Sequence, residues 1–129
     1  MFDLVNDIDS YPQFLPWCRH AEIDEVGQDW VLATIHIAKA GVHQSFTTRN
    51  RLVRPERIEL ELVKGPFSHL YGVWRFQPLS AQACKVSFEL EFLFSNLVLE
   101  KVVGPVFNHI VNTLLDAFVK QADARYAQS

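Results

Sequence analysis

The segment KVSFELEFLF, residues 85–94, alternates polar and apolar side chains over almost its whole length. Successive side chains of a β-strand point to opposite faces, so this pattern predicts a strand with one dry face and one wet face. Residues 58–62, IELEL, repeat the pattern, and one-sided strands of this kind are typical of antiparallel sheets. The apolar positions of the first segment are Val86, Phe88, Leu90, Phe92 and Phe94.

Six segments of the chain are predicted to be strands because each is rich in β-branched or aromatic residues. Residues typical of turns, such as Gly27-Gln28-Asp29 and Pro55-Glu56, separate consecutive segments. Because these connections are short, the strands are expected to form an antiparallel meander. The predicted strands are Arg19 to Val26, Trp30 to Lys39, His43 to Arg54, Arg57 to Val63, Leu70 to Gln77 and Ala83 to Ser95.

Two short helical segments are predicted before the strands. Phe2 to Asn6 has the pattern of the end of a helix, and Asp9 to Pro12 then supplies turn residues. A second short helical turn is predicted at Gln13 to Leu15, because Pro16 would stop it there.

A long helix is predicted after Asn96, a suitable N-cap residue, because the apolar period lengthens there. Gly104-Pro105 interrupts the pattern, so the helix either kinks at this point or begins anew with Pro105 in its first turn. The economical place for such a helix is across the dry, concave face of the sheet. Its apolar stripe comprises Val103, Val106, Phe107, Ile110, Val111, Leu114 and Phe118.

The composition is that of one globular domain over residues 1–129. Hydrophobic residues make up 49% and aromatic residues 12% of the chain, which excludes intrinsic disorder and supports one core. The formal net charge of −3 gives no global attraction to phosphate backbones, so DNA binding is not expected. The first residues are acidic, and no apolar run reaches the ~18 residues that span a bilayer. We therefore expect a cytoplasmic protein without a membrane span.

The ionisable residues do not form the patterns of a catalytic or metal site. The five histidines lack metal-ligand spacing, and Cys18 and Cys84 lie far apart, as expected of two reduced thiols. There is no G-x-S-x-G motif and no glycine-rich phosphate loop. We therefore expect no enzyme activity, no metal and no cofactor.

A basic cluster lies on the third and fourth predicted strands. Arg49 and Arg51 share the outer face of the sheet with Glu59 and Glu61, so cross-strand neutralisation is one interpretation of the cluster. A surface that contacts phosphate groups is the other interpretation. The cluster comprises Arg49, Arg51, Arg54 and Arg57.

Polar residues also occur on the dry face of the third predicted strand. Thr48 and Asn50 lie there between Phe46 and Leu52, and buried Asn and Thr side chains need hydrogen-bond partners. Ordinary sheet or water contacts are one explanation. The other is that Thr48 and Asn50, with the indole N–H of Trp74, form the polar end of a ligand pocket.

Several segments spread over most of the chain carry a family resemblance. They are Asp7 to Cys18 (DIDSYPQFLPWC), Lys39-Ala40-Gly41 with Phe46 to Asn50 (FTTRN), Gly65-Pro66-Phe67 with Trp74-Arg75-Phe76, and Ala83 to Val86. On these segments the chain resembles the coenzyme Q-binding and ribosome-association toxin (RatA) family of the polyketide cyclase/lipid-transport superfamily.

The resemblance implies an α+β, START-like helix-grip fold, in which a curved antiparallel sheet wraps around a long C-terminal helix. It also implies a cavity for ubiquinone or a similar polyprenyl lipid, in support of respiration, with transient contact at the inner membrane. Family members generally begin with a strand before the first helix, so we expect that strand to be missing here.

The FTTRN stretch is most similar to the toxin branch of the family. This implies an alternative function, interference with ribosomal subunit association, with the large ribosomal subunit as partner and the arginine cluster as contact. A cyclase-type enzyme is the third possibility. The expected cavity residues are Phe14, Leu15, Trp17, Phe46, Thr48, Asn50, Leu62, Phe67, Trp74, Phe88, Leu90, Phe107, Ile110, Val111 and Leu114.

Overall fold

A computed structural model describes residues 2–80 and 84–126 of the chain. Two short helices at the start are followed by six strands and one long helix. The elements are α1 (Phe2–Asn6), a 3₁₀ helix (Ile8–Gln13), β1 (Cys18–Val26), β2 (Trp30–Lys39), β3 (Val42–Val53), β4 (Arg57–Lys64), β5 (Phe67–Pro78), β6 (Cys84–Phe94) and α2 (Leu97–Tyr126).

The six strands form one antiparallel sheet in the order β1-β2-β3-β4-β5-β6, so each strand pairs with its neighbour in sequence. The predicted meander is therefore confirmed, and β1 and β6 are the edges of the described sheet. The largest shift in a strand boundary is at the start of β5, which begins at Phe67 rather than at Leu70. The predicted start of the last strand, Ala83, lies outside the described residues.

The predicted helical turn at Gln13 to Leu15 is wrong. The second short helix is a 3₁₀ helix at Ile8–Gln13, and Pro12 lies inside it. The backbone N–H of Ser10 donates to the carbonyl of Asp7 at 3.1 Å, and the Ser10 hydroxyl donates to the Asp7 carboxylate at 2.6 Å. A 3₁₀ helix uses the same i to i+3 hydrogen bond as a turn, so turn residues here form the helix itself.

Helix α2 is continuous from Leu97 to Tyr126 and does not begin anew at Pro105. Its N-cap is confirmed, because the Oδ1 atom of Asn96 accepts the backbone N–H of Leu99 at 2.9 Å. Pro105 lies on the exposed side of the helix, where water can satisfy the carbonyl group that loses its N–H donor.

The core lies between α2 and the inner face of the sheet. Of the described helices, α2 is the one long and apolar enough to cross a membrane by length and composition, and its apolar stripe also packs in the core. Phe118, which is 1% exposed, lies with its ring centroid 5.2 Å from Tyr11 and Phe14 and 5.1 Å from Trp74. This one side chain joins α2 to the 3₁₀ segment and to the sheet.

Replacing Phe118 by alanine is expected to destabilise the fold strongly. The change removes three ring contacts and leaves a cavity, for which about 3–5 kcal/mol is typical. Val119→Ala is the matched control, because Val119 is 40% exposed and an exposed change alters stability by about 0.5 kcal/mol or less. Urea unfolding of both variants measures the difference. Equal losses in the two variants would contradict the packing role of Phe118.

The two cysteines are expected to differ in reactivity. Cys84 is exposed, whereas Cys18 is buried, and this burial raises the pKa of the Cys18 thiol to about 11. Because the thiolate is the reactive form, alkylation near pH ~8 should label Cys84 and spare Cys18 in the folded protein. Labelling of Cys18 should accelerate towards its own pKa or after unfolding in urea. Rapid alkylation of both thiols in the native protein would be evidence against this burial.

Candidate ligand cavity and basic outer face

An internal cavity of about 80 Å³ lies between the inner face of the sheet and α2. Each contributing strand supplies the alternate residues that point towards the inner face, and α2 supplies part of its apolar stripe. Most of the residues expected to surround a cavity lie along it. These are Trp17, Phe46, Thr48, Asn50, Trp74, Phe88, Leu90, Phe107, Ile110, Val111 and Leu114.

Four expected residues lie away from this cavity, namely Phe14, Leu15, Leu62 and Phe67. The ring of Phe67 packs instead against Phe94 and Phe107, with centroids 5.1 and 4.9 Å apart. Leu15 is 0% exposed and belongs to the packed core. Both residues are apolar and inward, and such a pattern does not distinguish a solid core from the wall of a cavity.

Sequence reasoning missed a second group of residues along the cavity. The strand members of this group follow from the sheet register, because Ala33 pairs with Thr48 and Leu60 pairs with Asn50. The members from α1 and the 3₁₀ helix depend on how these short helices dock, which no local pattern encodes. The group comprises Val5, Asn6, Ile8, Tyr11, Ala33, Ile35, Ile37, Ile58, Leu60, Leu70 and Phe118.

Thr48 and Asn50 supply polar groups to the otherwise apolar cavity. The Thr48 hydroxyl donates to the Oδ1 atom of Asn50 at 2.7 Å, and both residues are buried. Trp74 lines the same cavity and stacks on Phe88 at 4.5 Å between centroids. The three residues predicted to form a polar end are therefore brought to one cavity.

Asn6 is a further polar residue along the cavity. It is the last residue of α1, and its Oδ1 atom is buried without a hydrogen-bond partner among the described residues. Tyr11 differs, because its hydroxyl donates to the carbonyl of Val5. Burial raises the pKa of Tyr11 above its ordinary value, so its hydroxyl stays protonated.

Among the described residues, those along the cavity include no Asp, Glu, His, Cys, Lys or Arg. Such a lining suits a neutral molecule, since an ion would lose its hydration without gaining a charged partner. Acid–base catalysis needs a proton donor or acceptor near the substrate, and in the described part of the chain Tyr11 is the one ionisable residue along this cavity. The expectation that the chain is not an enzyme stays a prediction.

Arg49 and Arg51 lie on the opposite, outer face of the sheet together with Glu59 and Glu61, as the alternation predicts. Arg49 pairs with Glu61, and Arg51 pairs with Glu59. Among the described arginines, however, ion pairs form at Arg54 and Arg57 and not at Arg49 or Arg51.

The side chain of Arg49 stacks on Trp30, with its guanidinium carbon 5.4 Å from the ring centroid. Arg57 pairs across the strands with Arg75, and like charges directly opposite each other are unfavourable. Neutralisation of the outer face is therefore only partial. Arg49 and Arg51 keep exposed guanidinium groups available for a partner.

Histidine and cysteine side chains do not assemble into a metal centre in the described part of the chain, where no group of three or more potential ligands is placed to hold an ion. His20 and His36 instead share Glu22, with their Nε2 atoms 3.7 and 3.4 Å from its carboxylate oxygens. These side chains are partly exposed.

The chain is similar in sequence to known proteins. The ribosome association toxin RatA of Pseudomonas aeruginosa is 41% identical over 126 residues, which cover 98% of this chain and 88% of the toxin. The mitochondrial coenzyme Q-binding protein COQ10 homolog B of Xenopus laevis is 26% identical, and the match covers 99% of this chain and 54% of that protein.

The fold is also similar to a solved structure, the ZhuI aromatase/cyclase from Streptomyces sp. R1128. The TM-score is 0.83 with 20% identity, and the match covers 97% of this chain and 86% of the cyclase. This likeness concerns the fold alone, and it confirms the predicted START-like helix-grip architecture. A family model described as polyketide cyclase / dehydrase and lipid transport matches residues 1–119. Together with the identity to RatA, this match shows that the chain belongs to the polyketide cyclase / dehydrase and lipid transport family.

Proposed function

We propose that the protein associates with the ribosome and interferes with the association of its subunits. The observation that carries this proposal is the 41% identity to a ribosome association toxin over 98% of the chain. This function places the protein in the cytoplasm, where its partner is. Contact with the inner membrane stays a prediction.

The outer face of the sheet supplies a surface suited to this partner. Over β3, β4 and β5 it presents four arginines (Arg49, Arg51, Arg57 and Arg75) against two glutamates, Glu59 and Glu61. The net charge of the chain is −3, so the local charge of this surface is opposite in sign to the net charge of the whole chain. Exposed guanidinium groups bind phosphate oxygens through paired N–H donors, and ribosomal RNA is rich in phosphate.

Replacing Arg49 and Arg51 together by glutamate is expected to weaken ribosome binding. If each arginine contacts one phosphate, the slope of log affinity against log salt should fall by about one per arginine removed. Co-sedimentation with ribosomal subunits at two salt concentrations measures this slope.

The control is the double variant Lys101→Glu and Lys120→Glu, which makes the same change in net charge at exposed positions of α2. It should bind like the wild type if the contact lies on the sheet. Equal weakening in both double variants would show a general charge effect, and unchanged sedimentation of the arginine variant would remove this surface from the proposal.

A second function, binding of a neutral apolar molecule, is supported by the cavity. Its lining is apolar except for a small number of polar side chains, which is the composition of a binding pocket that orients one polar group. A cavity of about 80 Å³ is below the ~300 Å³ at which typical ligand pockets begin. The cavity is too small to enclose a whole ubiquinone head group, and a polyprenyl tail would require α2 to separate from the sheet.

The Thr48–Asn50 pair provides a test of this second function. Replacing Asn50 alone would leave the Thr48 hydroxyl without its acceptor, which destabilises by about 1–3 kcal/mol whether or not a ligand binds. We therefore expect the double change Thr48→Val and Asn50→Leu to leave stability nearly unchanged, because both hydrogen-bond partners are removed together.

Binding of a short-chain ubiquinone to this double variant, followed by tryptophan fluorescence, should be about tenfold weaker than in the wild type, the effect of one lost hydrogen bond. Asn112→Leu is the matched control, because Asn112 is exposed on α2. Unchanged quinone affinity in the double variant would assign Thr48 and Asn50 to the core.

A further inference from the structure

The side-chain oxygen of Asn6 is a fully buried acceptor without a partner among the described residues. Its Oδ1 atom is buried and accepts no hydrogen bond from a described residue, and Asn6 lies along the cavity. A buried acceptor without a donor destabilises the folded state. Native proteins retain few such groups, and each one calls for a physical explanation.

Asn50 and Trp74, which line the same cavity, carry hydrogen-bond donors. The Thr48 hydroxyl donates to the Oδ1 atom of Asn50, and the N–H₂ donor group lies at the other end of that amide. Neither this amide nitrogen nor the indole nitrogen of Trp74 donates a hydrogen bond to any described side chain or backbone group. The cavity therefore combines an unused acceptor with unused donors.

The unused donors and the unused acceptor restrict which hydrogen-bonding groups a bound molecule must carry. A quinone carbonyl or an ether oxygen accepts hydrogen bonds but donates none, so it would leave Asn6 without a partner. A hydroxyl group donates one hydrogen bond and accepts others. The described residues along the cavity carry no charge, so a neutral hydroxyl group suits it better than an ion.

We propose that the cavity selects apolar molecules that carry a hydroxyl group, such as alcohols, phenols and the reduced, hydroquinone form of a quinone. The Oδ1 atom of Asn6 accepts a hydrogen bond from the hydroxyl group, and the amide nitrogen of Asn50 donates a hydrogen bond to the hydroxyl oxygen. This inference rests on the proposed binding of an apolar molecule and specifies its chemistry. It makes Asn6 a specificity-determining residue.

A series of three single-ring probes of similar shape tests the proposal on the unmodified protein. p-Xylene has no polar group, 4-methylanisole has an oxygen that only accepts, and p-cresol both donates and accepts. Affinities are measured by calorimetry and by shifts of the cavity methyl signals in NMR spectra. We expect p-cresol to bind about tenfold more tightly than 4-methylanisole, the effect of one added hydrogen bond.

The variant Asn6→Leu replaces the acceptor by an apolar group of similar size. It should bind p-xylene at least as tightly as the wild type and should lose the preference for p-cresol. Asn112→Leu, on the exposed side of α2, should keep that preference.

The outcomes separate this inference from the function on which it rests. If all three probes bind to the wild type equally well, or if Asn6→Leu retains the preference for p-cresol, apolar binding stands and hydroxyl selection by Asn6 is wrong. If none of the probes enters the cavity, the proposed binding function fails as well, and Asn6 is satisfied by water alone. Because the comparison of probes uses the wild-type chain, it decides the question even if Asn6→Leu does not fold.

Discussion

The burial of the apolar stripe of α2 against the inner face of the sheet is the interaction on which the other features depend. Phe107 and Phe118 enter ring clusters with side chains from β3, β5, β6 and the 3₁₀ segment. Aromatic side chains bury large apolar areas, and edge-to-face pairs restrict their orientation. Phe107 and Phe118 also line the cavity between α2 and the sheet.

Much of this architecture follows from the residue pattern. Alternation in residues 85–94 and 58–62 predicts strands with inward apolar residues, and parity puts Arg49 and Arg51 on the face of Glu59 and Glu61. The positions that could not be predicted depend on tertiary docking. Asn6 lies along the cavity because of the way α1 packs beside the sheet. Phe67 lies away from the cavity because its ring packs against Phe94 and Phe107. Arg49 stacks on Trp30 instead of pairing with Glu61, a choice of side-chain conformation that strand register does not determine.

Strand β3 carries both proposed functions on opposite faces. Asn50 points into the cavity, whereas its neighbours Arg49 and Arg51 point outward. The two surfaces therefore share a backbone but no side chains, and the family can retain the fold while one surface changes. The two relatives fit this view, since one is named for ribosome association and the other for coenzyme Q binding.

The consecutive order of the strands has a consequence for synthesis of the protein. Each hairpin joins neighbours in sequence, so the sheet can assemble as the chain leaves the ribosome, through contacts of short sequence separation. The helix that covers its inner face is the last described element to be made. Until α2 is released, the nascent sheet presents a continuous apolar surface to the cell, and such surfaces are prone to aggregate. Nascent chains at this stage are therefore expected to be clients of chaperones that bind at the exit tunnel.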